Sequence, residues 1–194
     1  HGPDVDSAHD AAPMAKRLVT AASFLILLVA PLVAIEKEPM AEYRARRERL
    51  AKRLDGKVFV LRAAPEENLV EYRQDDDFYY LTGFDEPDAI LLIDGGAEPP
   101  QEFLFIPKRK PNDERWTGPK IGPGSDAQKI TGFQNVLAVE DFEKTLRGTK
   151  GHANGEIEER AARGIIAELR QIKSAGEIAL LEKAIQITMK AHEA

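Results

Sequence analysis

Residues Ala89 to Ile93 read AILLI, an unbroken apolar run. A strand with one wet face alternates apolar and polar residues, whereas a continuous apolar run belongs to a strand covered on both faces. Asp94-Gly95-Gly96 supplies a turn, and Glu102 to Ile106 (EFLFI) returns as a second strand. The linker is longer than the two residues of the tightest hairpins. Lys57 to Arg62 (KVFVLR) is rich in β-branched and aromatic residues and reads as a strand. Phe78 to Leu81 (FYYL), closed by Thr82-Gly83, also reads as strand-like, and Asn135 to Val139 as a short strand.

Helical patterns alternate with these runs. Glu38 to Leu54 is expected to be a helix, with Pro39 at a first helical position and Asp55-Gly56 ending it. Its stripe is Met40, Tyr43, Leu50 and Leu54, interrupted by Arg47. Ser125 to Gly132 suits one or two helical turns, Glu140 to Leu146 a short helix, and Glu156 to Arg170 a longer one. Ser174 to Glu177 (SAGE) is a capping box. It opens a helix with Ile178, Leu181, Ile185 and Met189 on one face and no evident partner for that face. Ala63 to Asp77, Pro107 to Gly124 and Gly148 to Gly155 read as loops. Strands alternating with helices give an α/β class.

Charge and composition exclude several functions. The 194 residues carry a net charge of -6, which gives no pull toward nucleic acid. With no cysteine there is no disulfide, thiolate metal site or cysteine nucleophile. His1 to Pro13 is small, polar and aperiodic, a tag or upstream segment. Met14 then opens a layout typical of a secretory signal peptide over 14–34: Lys16 and Arg17, an apolar core from Leu18 to Val29, Pro31 and small Ala34. The expectation is a periplasmic or secreted protein without a stable membrane anchor, with a cytoplasmic location as the alternative.

Catalytic motifs are absent from the sequence: no GxxxxGK[ST], no GxGxxG after a strand, no HExxH and no GxSxG. Gly122 and Gly124 form an isolated GxG that reads as a turn. His1, His9, His152 and His192 lack partners at ligand spacing and read as solvated. Asp75, Asp76 and Asp77 lack the spaced ligands and glycine turn of a calcium loop. They read as a turn in which one aspartate caps the next element. Trp116, the single tryptophan, sits among charged and turn-forming residues. On residue pattern alone it is as well suited to a core as to an interface or ligand contact.

Three stretches resemble the aminopeptidase P family: Tyr72 to Asp88 (YRQDDDFYYLTGFDEPD), Phe103 to Gly122 (FLFIPKRKPNDERWTGPKIG) and Leu169 to Ala184 (LRQIKSAGEIALLEKA). The resemblance spans roughly Pro39 to Ala194. It implies an N-terminal domain over 39–172 with a mixed β-sheet flanked by helices, similar to the creatinase N-terminal fold. It also implies that 173–194 is the first helix of a pita-bread catalytic domain, and that 1–38 lies outside both. In the family that catalytic domain holds two manganese ions on two aspartates, a histidine and two glutamates. It removes the N-terminal residue before a proline from proline-containing peptides. All five ligands would lie beyond Ala194, so the resemblance transfers no catalytic or metal-binding residue to this chain. It implies a homo-oligomer whose N-terminal domain shapes access to the site. It moves Trp116 toward an interface or substrate-access role. The segments Ala64 to Glu71 and Gly148 to Gly155 are shorter than in several relatives, so the sheet edge is expected to be incomplete. The alternatives are a stand-alone binding or assembly module and a pseudo-enzyme related to creatinase.

Overall fold

The computed structural model describes residues 37–66, 72–112 and 114–193. The expected signal segment 14–34 and the histidines His1 and His9 lie outside the described residues. The chain runs α1 (Met40–Ala51), β1 (Val58–Arg62), α2 (Asp76–Thr82), β2 (Ile90–Asp94), β3 (Gln101–Ile106), α3 (Glu114–Thr117), α4 (Ser125–Thr131), β4 (Asn135–Ala138), α5 (Phe142–Gly148), α6 (Glu159–Gln171) and α7 (Ala175–Glu193). Short 3-10 turns at Val139–Asp141 and Lys150–Asn154 flank α5. The sheet order is β1-β2-β3-β4. β1–β2 and β2–β3 are antiparallel and β3–β4 is parallel, so the sheet is mixed.

β2 is buried along its whole length. Leu91 and Ile93 face one core, with Leu50 of α1, Leu54 just beyond it, Phe78 and Leu81 of α2, and Ala162 and Ile166 of α6. Ile90 and Leu92 face the opposite core, with Phe105 and with Phe142 of α5. The period of two along a strand sends alternate side chains into opposite layers, which is why a continuous apolar run needs helices on both sides.

The segment Phe78 to Leu81 is helical, correcting its expectation as a strand. The Asp75 carboxylate accepts from the amides of Asp77 (3.1 Å) and Phe78 (2.9 Å), an N-cap that starts α2 two residues ahead of the aromatic run. One α-helical turn brings Phe78 and Leu81 to the same face, so aromatic residues that suit a strand serve equally well here. Asp76 and Asp77, expected in a loop, are the first helical residues. Gly83 ends the helix at φ 63°, and a Cβ there would lie 2.6 Å from the Tyr43 ring.

Two arginines of α1 close the far end of α2. Arg46 Nη1 donates to the Tyr80 carbonyl (3.1 Å) and Arg47 Nη1 to the Leu81 carbonyl (2.8 Å). These carbonyls belong to the last turn, which has no intrahelical donors left for them, and positive charge suits that end of the helix dipole. Arg47 also grips Glu102 of β3 through two hydrogen bonds (2.5 and 3.0 Å) and lies over the Phe133 ring at 3.8 Å. Both arginines are 2% exposed. Arg47 therefore does not interrupt the inward stripe of α1 but belongs to it.

Asp94, also buried, accepts from the amides of Gly96 (3.0 Å), Lys150 (2.9 Å) and Gly151 (2.8 Å). It ties the β2–β3 turn to the 3-10 turn after α5. A Cβ on Gly96 would meet Gly151 backbone at 2.6 Å, so the close approach requires glycine there. The N-terminal bounds of α1 and α6 fall short of expectation, at Met40 and Glu159.

Replacing Arg47 with Met is expected to destabilise the chain by about 3 kcal/mol, because Glu102 and the Leu81 carbonyl lose their partner together. Urea unfolding would measure it. The double variant Arg47→Met/Glu102→Leu should recover part of the loss, since it leaves no stranded carboxylate.

Candidate functional site

The loop between β3 and α4 packs against the loop after α2. Gln74 organises the second of these. Its side-chain carbonyl accepts from the amides of Ala64 and Asp75 (both 2.9 Å), and its amide donates to the carbonyls of Phe84 (3.2 Å) and Glu86 (3.1 Å). The Thr82 hydroxyl adds a bond to the Phe78 carbonyl (2.7 Å) and accepts from the Phe84 amide (3.1 Å). Residues 83–88 thereby form a fixed ledge.

Glu86 reaches from this ledge to the other loop and accepts from the Ile121 amide at 3.2 Å. Ile121 packs on the main core. Lys120 pairs with Glu66 at 3.0 Å. Arg109 holds Glu114 at the start of α3 through two bonds (2.8 and 2.5 Å). The Arg109 stem occupies the space where a Gly122 Cβ would stand, 2.8 Å away. Between the loops is a pocket of about 280 Å³, lined by Glu86, Asp88, Lys108, Arg109, Glu114, Lys120 and neighbours.

Trp116 stands on α3 beside this pocket in sequence, and its side chain lies outside the described residues. Gly122 and Gly124 form the expected turn, Gly124 at φ 128° leading into α4. The structure thus brings together two stretches that sequence reading treated separately, 72–88 and 103–122.

The electrostatics are those of a rim. Burial pushes the Glu86 carboxyl above its ordinary value of 4.5, against the opposing pull of the Ile121 amide and Lys120. The Arg109 hydrogen bonds hold the Glu114 carboxyl below the usual range. Burial, reinforced by the Asp85 and Asp88 carboxylates, pushes the Tyr72 hydroxyl up to about 12, so it remains protonated at neutral pH. The described lining residues include no histidine, serine or threonine. The arrangement can receive charged or polar groups of a peptide or partner surface through ion pairs. It offers no nucleophile with an adjacent base.

The remaining candidates separate. Asp75 is the α2 cap, and Asp77 is met by Arg163 (2.9 Å) and Arg170 (2.7 Å) of α6. His152 and His192 are exposed in separate elements. Among the described residues no group of three or more histidine, aspartate or glutamate side chains gathers as metal ligands. Those residues therefore do not fit a two-manganese centre, and no chemical step follows from one here. The residues missed in the sequence are Arg46, Arg47, Gln74, Arg163 and Arg170. Arg46 and Arg47 stand three and four residues after Tyr43 and so fall on the apolar stripe of α1, which was the available signal for these two.

Three kinds of comparison with known proteins point the same way. The family model for the aminopeptidase P N-terminal domain matches residues 43–157. The chain is 29% identical over 190 residues to the Xaa-Pro aminopeptidase of Escherichia coli, covering 78% of this chain and 43% of that protein. It is 37% identical over 87 residues to human Xaa-Pro aminopeptidase 3, covering 43% of this chain and 17% of that protein. The low-pH form of Escherichia coli aminopeptidase P superposes with a TM-score of 0.69 at 26% identity, over 81% of this chain and 44% of that one. A zinc-substituted form of the same enzyme, in complex with product, gives the same figures. The chain spans less than half the length of these relatives.

Glu86 sets a pH prediction. Its folded-state pKa lies above the unfolded one, so the folded chain binds the proton more tightly. Its contribution to stability then falls as pH rises from 4.5 through the folded value. Glu86→Gln should flatten that part of the stability–pH curve, and an NMR titration of Glu86 should give a midpoint above 4.5.

Proposed function

The chain belongs to the aminopeptidase P N-terminal domain family, and from that premise we propose that it is the non-catalytic N-terminal domain of a metal-dependent Xaa-Pro aminopeptidase. Residues 39–172 form that domain and 173–194 the first helix of the catalytic part. The whole protein removes an N-terminal residue preceding proline, using two manganese ions held by a segment beyond this chain. The observation that carries the proposal is the match over residues 43–157. The contact between the ledge at Glu86 and the loop bearing Trp116 supports a supporting role for the domain.

In this role the pocketed loop is presented to a neighbouring subunit, where Trp116 contributes to substrate access. The mixed charges of the rim suit a wet, adjustable interface better than a dry one. Subunit association and export to the periplasm or medium are parts of the same proposal. Among the described residues no helix is long and apolar enough to cross a membrane.

The test is to assay the 194-residue chain and the product of the longer reading frame side by side, with manganese and an Xaa-Pro-Pro tripeptide. The chain alone should give no turnover above the metal blank, and the longer product should release the first residue. In the longer product Trp116→Ala should raise KM more than it lowers kcat. Turnover by the chain alone would overturn the proposal, as would a longer product that binds no metal.

A further inference from the structure

Helix α7 leaves the domain with little apolar contact. It has no buried residue, and Ile178, Leu181, Ile185 and Met189 are each about half exposed. The link before it is short: α6 ends at Gln171, Ile172 is extended and 83% exposed, and the capping box begins at Ser174. A bare link of this kind leaves a helix free to swing unless polar contacts fix it.

Such contacts come from both sides of the link, to α2 directly before it and through Arg46 of α1 after it. Before it, Arg170 Nη1 donates to Asp77 at 2.7 Å and its guanidinium lies 5.6 Å from the Tyr80 ring centre. After it, Glu177 Oε2 lies 3.6 Å from Arg46 Nη2, and the Arg46 guanidinium lies 4.3 Å from the same ring. Tyr80 thus carries two guanidinium contacts, one from Arg170 just before the link and one from Arg46 of α1, which Glu177 meets just after it. Arg46 is already fixed by the Tyr80 carbonyl and by an ion pair with Glu38. Glu177 is fixed in turn by the capping box, accepting from the Ser174 amide (2.8 Å) and donating its own amide to the Ser174 hydroxyl (3.2 Å).

We infer that Arg46, Tyr80 and Arg170 form a clamp on α2 that sets the direction in which α7 leaves the domain, with Glu177 as the pin. Glu177 serves two roles through one carboxylate: it caps α7 and ties it to a nearly buried cation. A charge pair this sheltered is less screened than a surface pair, so it holds orientation as well as contact. On the proposed function, which this inference rests on for its consequence only, the clamp positions the catalytic part relative to the domain. Arg46 and Glu177 are then positioning residues and touch no substrate.

The two roles of Glu177 separate by mutation. A glutamine also serves in a capping box, so Glu177→Gln keeps the cap and removes the ion pair. Ser174→Ala weakens the cap and keeps the ion pair. The chain has no cysteine, so spin labels at Lys129→Cys and Gln186→Cys, both exposed, report the distance from α4 to α7 without background. The parent should give one narrow distance distribution. Glu177→Gln should widen it about twofold while circular dichroism and Tm stay near the parent's. Arg46→Lys, which keeps charge but loses the planar reach, should widen it as well. Ser174→Ala should leave the width close to the parent's. A distribution unchanged in Glu177→Gln, or widened more by Ser174→Ala than by Glu177→Gln, would overturn the inference. These readouts do not involve peptidase activity, so they stand apart from failure of the functional proposal.

Discussion

The structure depends on two buried guanidinium groups that finish a helix they do not belong to. Arg46 and Arg47 lie inside α1 and cap the carbonyls of Tyr80 and Leu81 at the end of α2. A buried arginine is unfavourable unless its charge and donors are met. Here carbonyl oxygens, Glu38, Glu102 and three aromatic rings meet the charges, while Arg46 Nε is buried without a hydrogen-bond partner. Through Glu102 the same arrangement reaches β3, and through α2 it reaches the ledge that supports the loop of Trp116. The segment 72–88, one of the three that resemble the family, is therefore the keystone of a scaffold.

That division of labour explains the character of the candidate site. A rim braced by Glu86, Lys120 and the Arg109–Glu114 pair can hold a loop in place and meet polar groups. Glu86 is matched by an amide and Glu114 by a cation, as a positioning surface requires. The chain matches less than half of the length of its relatives.

Sequence reading recovered the parts that follow from local pattern. The AILLI run predicted a strand covered on both faces, and β2 is buried throughout. The SAGE capping box formed as a reciprocal pair of hydrogen bonds. Asp75 proved to be the cap anticipated for one of the three aspartates. The resemblance correctly implied a mixed sheet flanked by helices. Most of what the sequence did not show is long-range satisfaction of polar groups. Nothing near Arg47 in sequence tells of a carbonyl 34 residues away, and nothing near Asp77 tells of Arg163 and Arg170 on α6. FYYL has strand-like composition, and tertiary packing with an N-cap outweighed it. The role given to Trp116 comes from the resemblance.

The central claim is that α2 and its ledge form one cooperative unit with the sheet, held by the arginines of α1. Native-state hydrogen exchange tests it most directly. The account predicts that the amides of Gly83, Phe84 and Ala64 open with the same free energy as those of Leu91 and Leu92, and that Arg46→Met lowers the first group selectively. If those three amides in the parent chain already exchange by a low-energy local opening while β2 stays protected, the arginine caps are not what joins the signature segment to the fold.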